Sequence, residues 1–394
     1  MDRVREAGGQ PVPLRLIPTP PEYGVALARE WVADVAAVSA SSGAVGGLDA
    51  LLLDASQPEE LIGLLLAALR LNLPAVAVRR DNSVSVAFVA LGVAPLEGDP
   101  AEVVLDVARS NGPGPTQLAG TFALANALRA GLSVGAGPEL LVHLAALSRE
   151  ASATGFSQML RVLTPESPVV AGLNSEWFRE YGAAGVLAHL GDALHSVPAV
   201  TGRLKSSLPE PPPDPGERGA RIVFARGRAS GTEAVCRVAG DVSEISGECR
   251  VFGSEEDAVR AVSKENLSSS FIVVGGYGPR GGPGLRRLDR LGEALEEAEI
   301  TDSVTVMTDG LAPDGVGAGI SLVTPEAVED GVIGRLRDGD ILKIDLDEER
   351  IRTRISAQEL ELREPYNGMI PSGHGYAARY ARSALPGLEG AGFG

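Results

Sequence analysis

Sulfur and amine donors are nearly absent from this sequence. Of 394 residues two are cysteine, Cys236 and Cys249, and three are lysine, Lys205, Lys264 and Lys343, so 32 of the 35 basic residues are arginine. Two cysteines cannot supply a four-thiolate metal or cluster site. They could pair, but cytosolic thiols usually stay reduced. Free cysteine is often buried, so both read as packing residues. Positive charge is also short: 35 basic against 52 acidic residues leaves a formal net charge of −17. That balance argues against nucleic acid, whose affinity comes largely from neutralised phosphates, and against anionic membrane surfaces. Aromatic residues make up 4% of a chain that is 44% apolar, so its cores must be aliphatic. The start, MDRVREAGGQPVPL, lacks the long apolar region of a signal peptide. The stretch DALLLDASQPEELIGLLLAALRLNLPAVAV is divided by charges and prolines. It reads as strand, helix and strand, not as a membrane span. A soluble cytoplasmic protein is expected.

The length favours two or three domains. Apolar spacing predicts a helix over 22–39, a buried strand at 48–53, a helix over 58–72 and a strand at 74–78. Pro58 and two glutamates occupy the first turn of the second helix. Strand–helix–strand with a short return implies a parallel sheet. Further helices are expected at 118–131, 139–150, 155–163 and 175–196. The segment SSLPEPPPDPGERG, residues 206–219, contains five prolines and is the clearest linker. Beyond it the texture turns to short β-rich runs, ARIVFA, SFIVVGG, SVTVMT, DILKIDL and RIRTRIS, with helices near 255–265 and 286–298. The expected class is α/β: an N-terminal parallel-sheet αβα domain over 1–205, the linker, and a β-rich α/β domain over 220–360. A glycine-rich tail, 361–394, with one short helical piece, is expected to pack on a neighbouring domain or subunit.

The stretch GGYGPRGGPG, residues 275–284, follows the apolar run FIVV and precedes a helical segment. Strand, glycine turn and helix make a place where backbone can approach a small anion. The glycines equally permit positive φ and close packing of turn on helix. A lone glycine-rich turn is weak evidence, and no Gly-Lys-Ser/Thr follows to make it a phosphate loop. Arg280 can pair with a carboxylate ligand or be a solvated loop arginine. Asp309 follows the strand VTVMT, at the end where open α/β sheets bind ligands; it could instead cap the next turn. Asp314 is a candidate base or an exposed turn residue. Tyr277 is a candidate weak acid or a space filler. His143, His189 and His195 sit in helical stretches and read as ordinary helix residues. His374, between two glycines in the tail, can belong to a segment that closes over a site.

Taken in order, many segments together resemble the dihydroxy-acid dehydratase and phosphogluconate dehydratase family. REAGGQPVPL, AREWVADVAAV, LDALLL, AALRLNLPAVAV, LLVHLAALSREA and HSVPAVTGR carry the resemblance in the N-terminal half. CRVFGSEEDAVRAV, VVGGYGPRGGPGLR, VTVMTDG, VTPEAVEDG, LRDGDILKIDL and GYAARYARS carry it in the C-terminal half. The chain is shorter than typical members and lacks segments of the N-terminal half. The resemblance implies an α/β domain followed by a swivelling β-rich domain, assembled as dimers or tetramers with the active site between domains near the subunit interface. It also implies dehydration of sugar acids or dihydroxy acids with an iron–sulfur cluster and magnesium. The family's Cys-Asp-Lys motif falls here on Gln57, Pro58 and Glu59. Its second cluster cysteine falls on Leu118, and the third lies in the shortened region around IPTPPEYG, where Glu22 is a possible remnant of a magnesium ligand. The glutamate of the family's glycine loop is replaced by Tyr277. The family's Ser-Gly-Gly, whose serine is proposed as the base, becomes Pro313, Asp314 and a gap.

The resemblance therefore implies a dehydratase-like protein without cluster or magnesium. No cofactor and no metal are expected. Its candidate catalytic residues are Asp314, Asp309, Tyr277, Glu59 and His374, and its candidate substrate-binding residues are Arg280, Gln57, Gly281 and Gly282. One expectation is a homodimeric, cofactor-free lyase, isomerase or cyclase acting on a small carboxylate or biosynthetic intermediate by acid–base chemistry. The other is a non-catalytic homologue, either a ligand sensor or a partner subunit of an intact dehydratase.

Overall fold

A computed structural model describes residues 1–42, 47–110, 112–216, 220–227, 231–366, 368 and 370–394. Positions 217–219 of the expected linker lie outside the described residues. The chain divides into two compact units. One comprises Met1–Pro21, Ala28–Ala136 and Leu140–Gly219, the other Glu22–Leu27, Gly137–Glu139 and Ala220–Gly394.

The first half of the sequence is mainly helical: α1 (Asp2–Glu6), α2 (Val25–Ser41), α3 (Pro58–Leu71), α4 (Ser83–Leu91), α5 (Pro100–Ser110), α6 (Pro115–Leu118), α7 (Thr121–Ser133), α8 (Pro138–Glu150), α9 (Phe156–Glu166) and α10 (Glu176–Leu190). The parallel sheet expected here has two described strands, β1 (Leu51–Leu53) and β2 (Ala75–Ala77), paired Leu52 to Val76. Helix α3 starts as its first turn dictates, with Pro58 at the opening position and Glu59 and Glu60 beside the free N–H groups, and it stops at Asn72, which is left-handed at φ 49°. Helix α4 packs along α7 and is buried all round. Asn82 caps it by accepting from the Ser85 N–H, and Gly92 ends it at φ 86°. A two-residue hairpin, β3 (Pro198–Ala199) and β4 (Gly202–Arg203), follows.

Eight strands close a barrel in the second unit: β5 (Arg221–Gly227), β6 (Glu233–Val238), β7 (Glu244–Phe252), β8 (Ser270–Val274), β9 (Thr305–Thr308), β10 (Ala318–Thr324), β11 (Ile341–Asp345) and β12 (Arg350–Thr353). Their order around the barrel is β10-β6-β5-β12-β11-β7-β8-β9. Strands β7, β8, β9 and β10 are mutually parallel neighbours, so their C-terminal ends share one edge. Helices α11 (Glu255–Val262) and α12 (Asp289–Glu297) make the crossovers and pack on each other. The alternating inward residues Val223, Cys236, Cys249, Phe271, Met307, Ile320 and Ile344 fill the interior. Outside β8 and β9, Ile272, Val274, Val306, Leu288, Leu291 and Leu295 form the layer beneath the two helices. After α13 (Ala357–Leu362), the tail carries α14 (Tyr376–Ser383), whose buried Tyr380 packs with Leu27 and Phe393. Mixed helix and sheet content makes the chain α/β.

Candidate functional site

Four loops meet at the shared edge of the parallel strands. The turn after β7 leads into α11, the glycine loop 275–284 follows β8, Asp309 follows β9, and Glu326 follows β10. Loops at such an edge are where parallel sheets place ligands. Here the loops are fastened to one another by two buried carboxylates.

Asp309 is 1% exposed. Its carboxylate accepts the N–H groups of Gly276 at 3.0 Å, Tyr277 at 2.8 Å and Ala327 at 2.8 Å. Glu326 accepts from the Arg280 N–H at 3.0 and 3.1 Å and from the Gly281 N–H at 3.1 Å. Burial pushes both carboxyls above the usual carboxylate range, against the pull of those N–H groups. For Glu326 the value reaches about 7, burial being the main cause and the neighbouring Asp309 charge the next. The glycines make this approach possible. A Cβ on Gly278 would stand 2.5 Å from the Glu326 carboxylate, and one on Gly276, where φ is 84°, would stand 2.4 Å from the Tyr366 hydroxyl.

Tyr277 is buried, and its hydroxyl accepts the Glu255 N–H at 2.9 Å. The Arg286 guanidinium lies 5.5 Å from its ring centroid. Arg280 is half-buried; its guanidinium pairs with Glu329 at 3.0 Å and donates to the Ala384 carbonyl at 3.3 Å. Gly281 is half-buried, whereas Gly282 is buried and donates to the Gly278 carbonyl at 2.8 Å. Asp314 is exposed, 3.8 Å from the Arg237 guanidinium. His374 is exposed ahead of α14. Gln57 and Glu59 belong to the other unit, Gln57 exposed at the N-cap of α3 and Glu59 half-buried in its first turn. The fold thus brings Asp309, Tyr277, Arg280, Gly281 and Gly282 into one constellation and sets Asp314 and His374 on exposed positions of the same unit.

Three members of the constellation escaped sequence reading. Glu326 lies in VTPEAVED, directly after the cis bond between Thr324 and Pro325. The segment's only signal was an acid just past the end of a strand. Glu255, also with a carboxyl raised by burial, accepts the Leu291 N–H at 3.0 Å. Tyr366 reaches Gly276 from 90 residues downstream, a juxtaposition that local pattern cannot give.

In the first unit, Arg29 is fully buried on α2; it donates to Glu30 at 2.9 Å and lies 3.3 Å from Nδ1 of the buried His143. Arg70 joins Glu30, Asp34 and Glu150 at 2.7–3.0 Å. These ions are paired as burial requires.

The class of domain that the fold and site define is a closed eight-stranded α/β barrel whose glycine loop is braced by two buried carboxylates. Residues 211–391 match the dihydroxy-acid/6-phosphogluconate dehydratase C-terminal domain, and the chain belongs to that family over those residues. It is 30% identical over 315 residues to a dihydroxy-acid dehydratase of Geobacter metallireducens, covering 74% of this chain and 57% of that protein. A dihydroxy-acid dehydratase of Clostridium botulinum is 28% identical over 306 residues, 70% of this chain and 55% of its own length. The chain spans little more than half the length of these relatives.

The cluster and magnesium that the resemblance implies call for thiolates and a carbamylated lysine. Cys236 on β6 and Cys249 on β7 are both 0% exposed inside the barrel, and burial pushes each thiol up to about 12. A cluster needs thiolates. Where the resemblance places the family's Cys-Asp-Lys motif stand Gln57, Pro58 and Glu59. These residues do not fit an iron–sulfur cluster or a carbamylated lysine. Neither thiol should react with iodoacetamide at pH 8 in the folded protein, and both should react fully in guanidinium. Mass spectrometry counts the alkylated sites; labelling of either cysteine in the native protein would contradict the burial described.

Proposed function

We propose that the chain is a cofactor-free binding member of its family, one that takes a small carboxylic acid at the edge where Arg280 and Gly281 emerge. One observation carries this reading. The carboxylates, phenol and backbone donors expected to act on a substrate are engaged with one another: Asp309 with three N–H groups, Glu326 with two, Tyr277 with Glu255. Arg280 is the half-exposed cation of the loop, and its partner Glu329 is a comparably exposed, exchangeable one, 34% against 32%. A ligand carboxylate can take that partner's place, forming the paired hydrogen bonds that guanidinium favours. The homodimer and the sensor or partner-subunit role expected from sequence stay with this reading.

A second reading is favoured by Glu326, a carboxyl that changes charge near neutral pH at the edge where catalysis is commonly built. It makes the protein a cofactor-independent lyase, isomerase or cyclase for an acid already activated beside a carbonyl, with Asp309, Glu326 and Tyr277 moving protons. Asp314 and His374 of the same unit would then complete the site.

Calorimetric titration of metal-stripped protein with glycerate separates the two. Binding that Arg280→Ala weakens about tenfold or more, with substrate recovered unchanged by proton NMR, supports the first reading. Conversion of a panel of small oxo and hydroxy acids, lost in Glu326→Gln, replaces it with the second. Stoichiometric iron in anaerobically purified protein would overturn both.

A further inference from the structure

The proline-rich segment ahead of β5 is held against α10. Within it Leu208, Pro212 and Pro215 are half-buried. The Trp177 indole Nε1 donates to the Pro213 carbonyl at 2.7 Å. The Trp177 ring stands 5.2 Å from that of Tyr181 and edge-on to that of His189 at 6.3 Å. Positions 177, 181, 185 and 189 recur every fourth residue, so they form one ridge along the helix. Helix α10 is interrupted within that ridge at Gly182, where φ is 57° and ψ −156°. Gly185 is the ridge's gap: a Cβ there would be 2.4 Å from the Tyr181 Cβ, 3.2 Å from the Trp177 Cη2 and 3.3 Å from the Pro212 Cγ. Glycine therefore lets the Pro212 ring settle beside the two aromatic rings. Ridge and segment belong to the same unit.

We propose that the ridge of Trp177, Tyr181 and Gly185 is a polyproline-binding surface, and that residues 208–215 of this chain are its resident ligand, a latch in cis. The chemistry is matched on both sides. A proline run has φ preset near −65° and no N–H of its own, so it loses little entropy on docking and offers carbonyl acceptors. An aromatic surface that also carries an indole donor reads such a run through ring contact and one hydrogen bond. With the latch seated, residues 214–220 are the span from Pro213 to the start of β5 at Arg221. With it released, the span begins after the turn Leu204–Ser207. The latch thus sets how much chain is available ahead of the barrel's first strand. It acts apart from whatever the glycine loop binds.

The test uses the full chain with Pro209, Pro211, Pro212, Pro213 and Pro215 all replaced by serine, which removes the resident ligand and leaves the ridge intact. The probe is the blocked peptide SLPEPPPDPG, the sequence of residues 207–216. In calorimetric titrations the serine variant should bind it about tenfold more tightly than the wild type does. The wild type's own segment competes at an effective concentration on the order of 1 mM. The same peptide with serine in place of every proline should not bind. Adding Trp177→Phe to the serine variant keeps a ring and its packing but removes the indole donor. It should weaken the peptide about five- to tenfold, the effect of one neutral hydrogen bond. Trp177 emission should shift to the red in the serine variant and return when the peptide is added. A serine variant that binds no peptide, or binds it no better than the wild type, overturns the latch. Indifference to Trp177→Phe, or equal binding of the all-serine peptide, overturns the polyproline-binding surface.

Discussion

Asp309→Ala lowers the stability of the barrel unit by about 3–6 kcal/mol, the largest loss expected of any single substitution at this site. Its carboxylate is the acceptor for three backbone donors, on Gly276, Tyr277 and Ala327. The group is buried, so the alanine variant strands all three N–H groups. A stranded buried donor costs about 1–3 kcal/mol. Water entering the small void recovers part of the sum, which is why the lower half of the range is expected. Asp309→Asn retains a carbonyl oxygen but turns an amide N–H₂ toward a donor, so it should lose about half as much. Hydrogen exchange at Gly276, Tyr277 and Ala327 is the direct measurement. Tryptophan fluorescence would be misleading, because Trp31 and Trp177 both belong to the other unit. Unchanged exchange and melting in the alanine variant would remove the brace from the description of this site.

That brace also marks how far sequence reaches. Helices with an amphipathic period were legible: α3, α7, α8 and α12 fall within a few residues of their expected places. Helix α4 went unassigned because it is apolar on every face, and a helix buried all round shows no 3.6-residue stripe. In the second unit β5, β8, β9, β11 and β12 were legible one by one as short β-rich runs, whereas β6, β7 and β10 were not read as strands. Closure of the barrel was not legible, since pairs such as β5 with β12 and β6 with β10 join segments far apart in sequence. The site divides in the same way. The glycine loop and Asp309 stood out locally, one by composition and the other by its place after a strand. Glu326 and Tyr366 become members only when β10 and the segment after α13 are laid against the loop. The alternatives left open for Asp309 also needed coordinates, because an aspartate that binds ligand and one that binds backbone N–H groups look alike in sequence.

Acidification from pH 8 to pH 5 should stabilise the barrel unit through Glu326, opposite to the behaviour of a salt-bridged carboxylate. The sign follows from proton counting. Glu326 titrates near 7 in the folded protein against 4.5 in the unfolded chain. Between those values the native state holds the proton and the unfolded state has released it, so stability falls as pH rises through the interval. Below about 4.5 both states are protonated and above about 7 both are ionised, so the slope vanishes at either end. At 1.36 kcal/mol per pH unit the interval amounts to about 3 kcal/mol. Asp309 acts in the same direction, because burial raises its carboxyl too, and so do Glu255 and Asp289. The charges facing Glu326 are Asp309 and Glu329, both of which oppose its ionisation. Glu326→Gln isolates the effect. It removes the titrating group and relieves Asp309 of a neighbouring charge, so the pH dependence of unfolding between 5 and 8 should flatten by about 3 kcal/mol relative to wild type. Urea unfolding followed by hydrogen exchange in residues 275–284 reads the difference. Parallel pH profiles for wild type and Glu326→Gln would mean that Glu326 is already ionised in the native protein. The loop would then be held by a fully charged carboxylate pair.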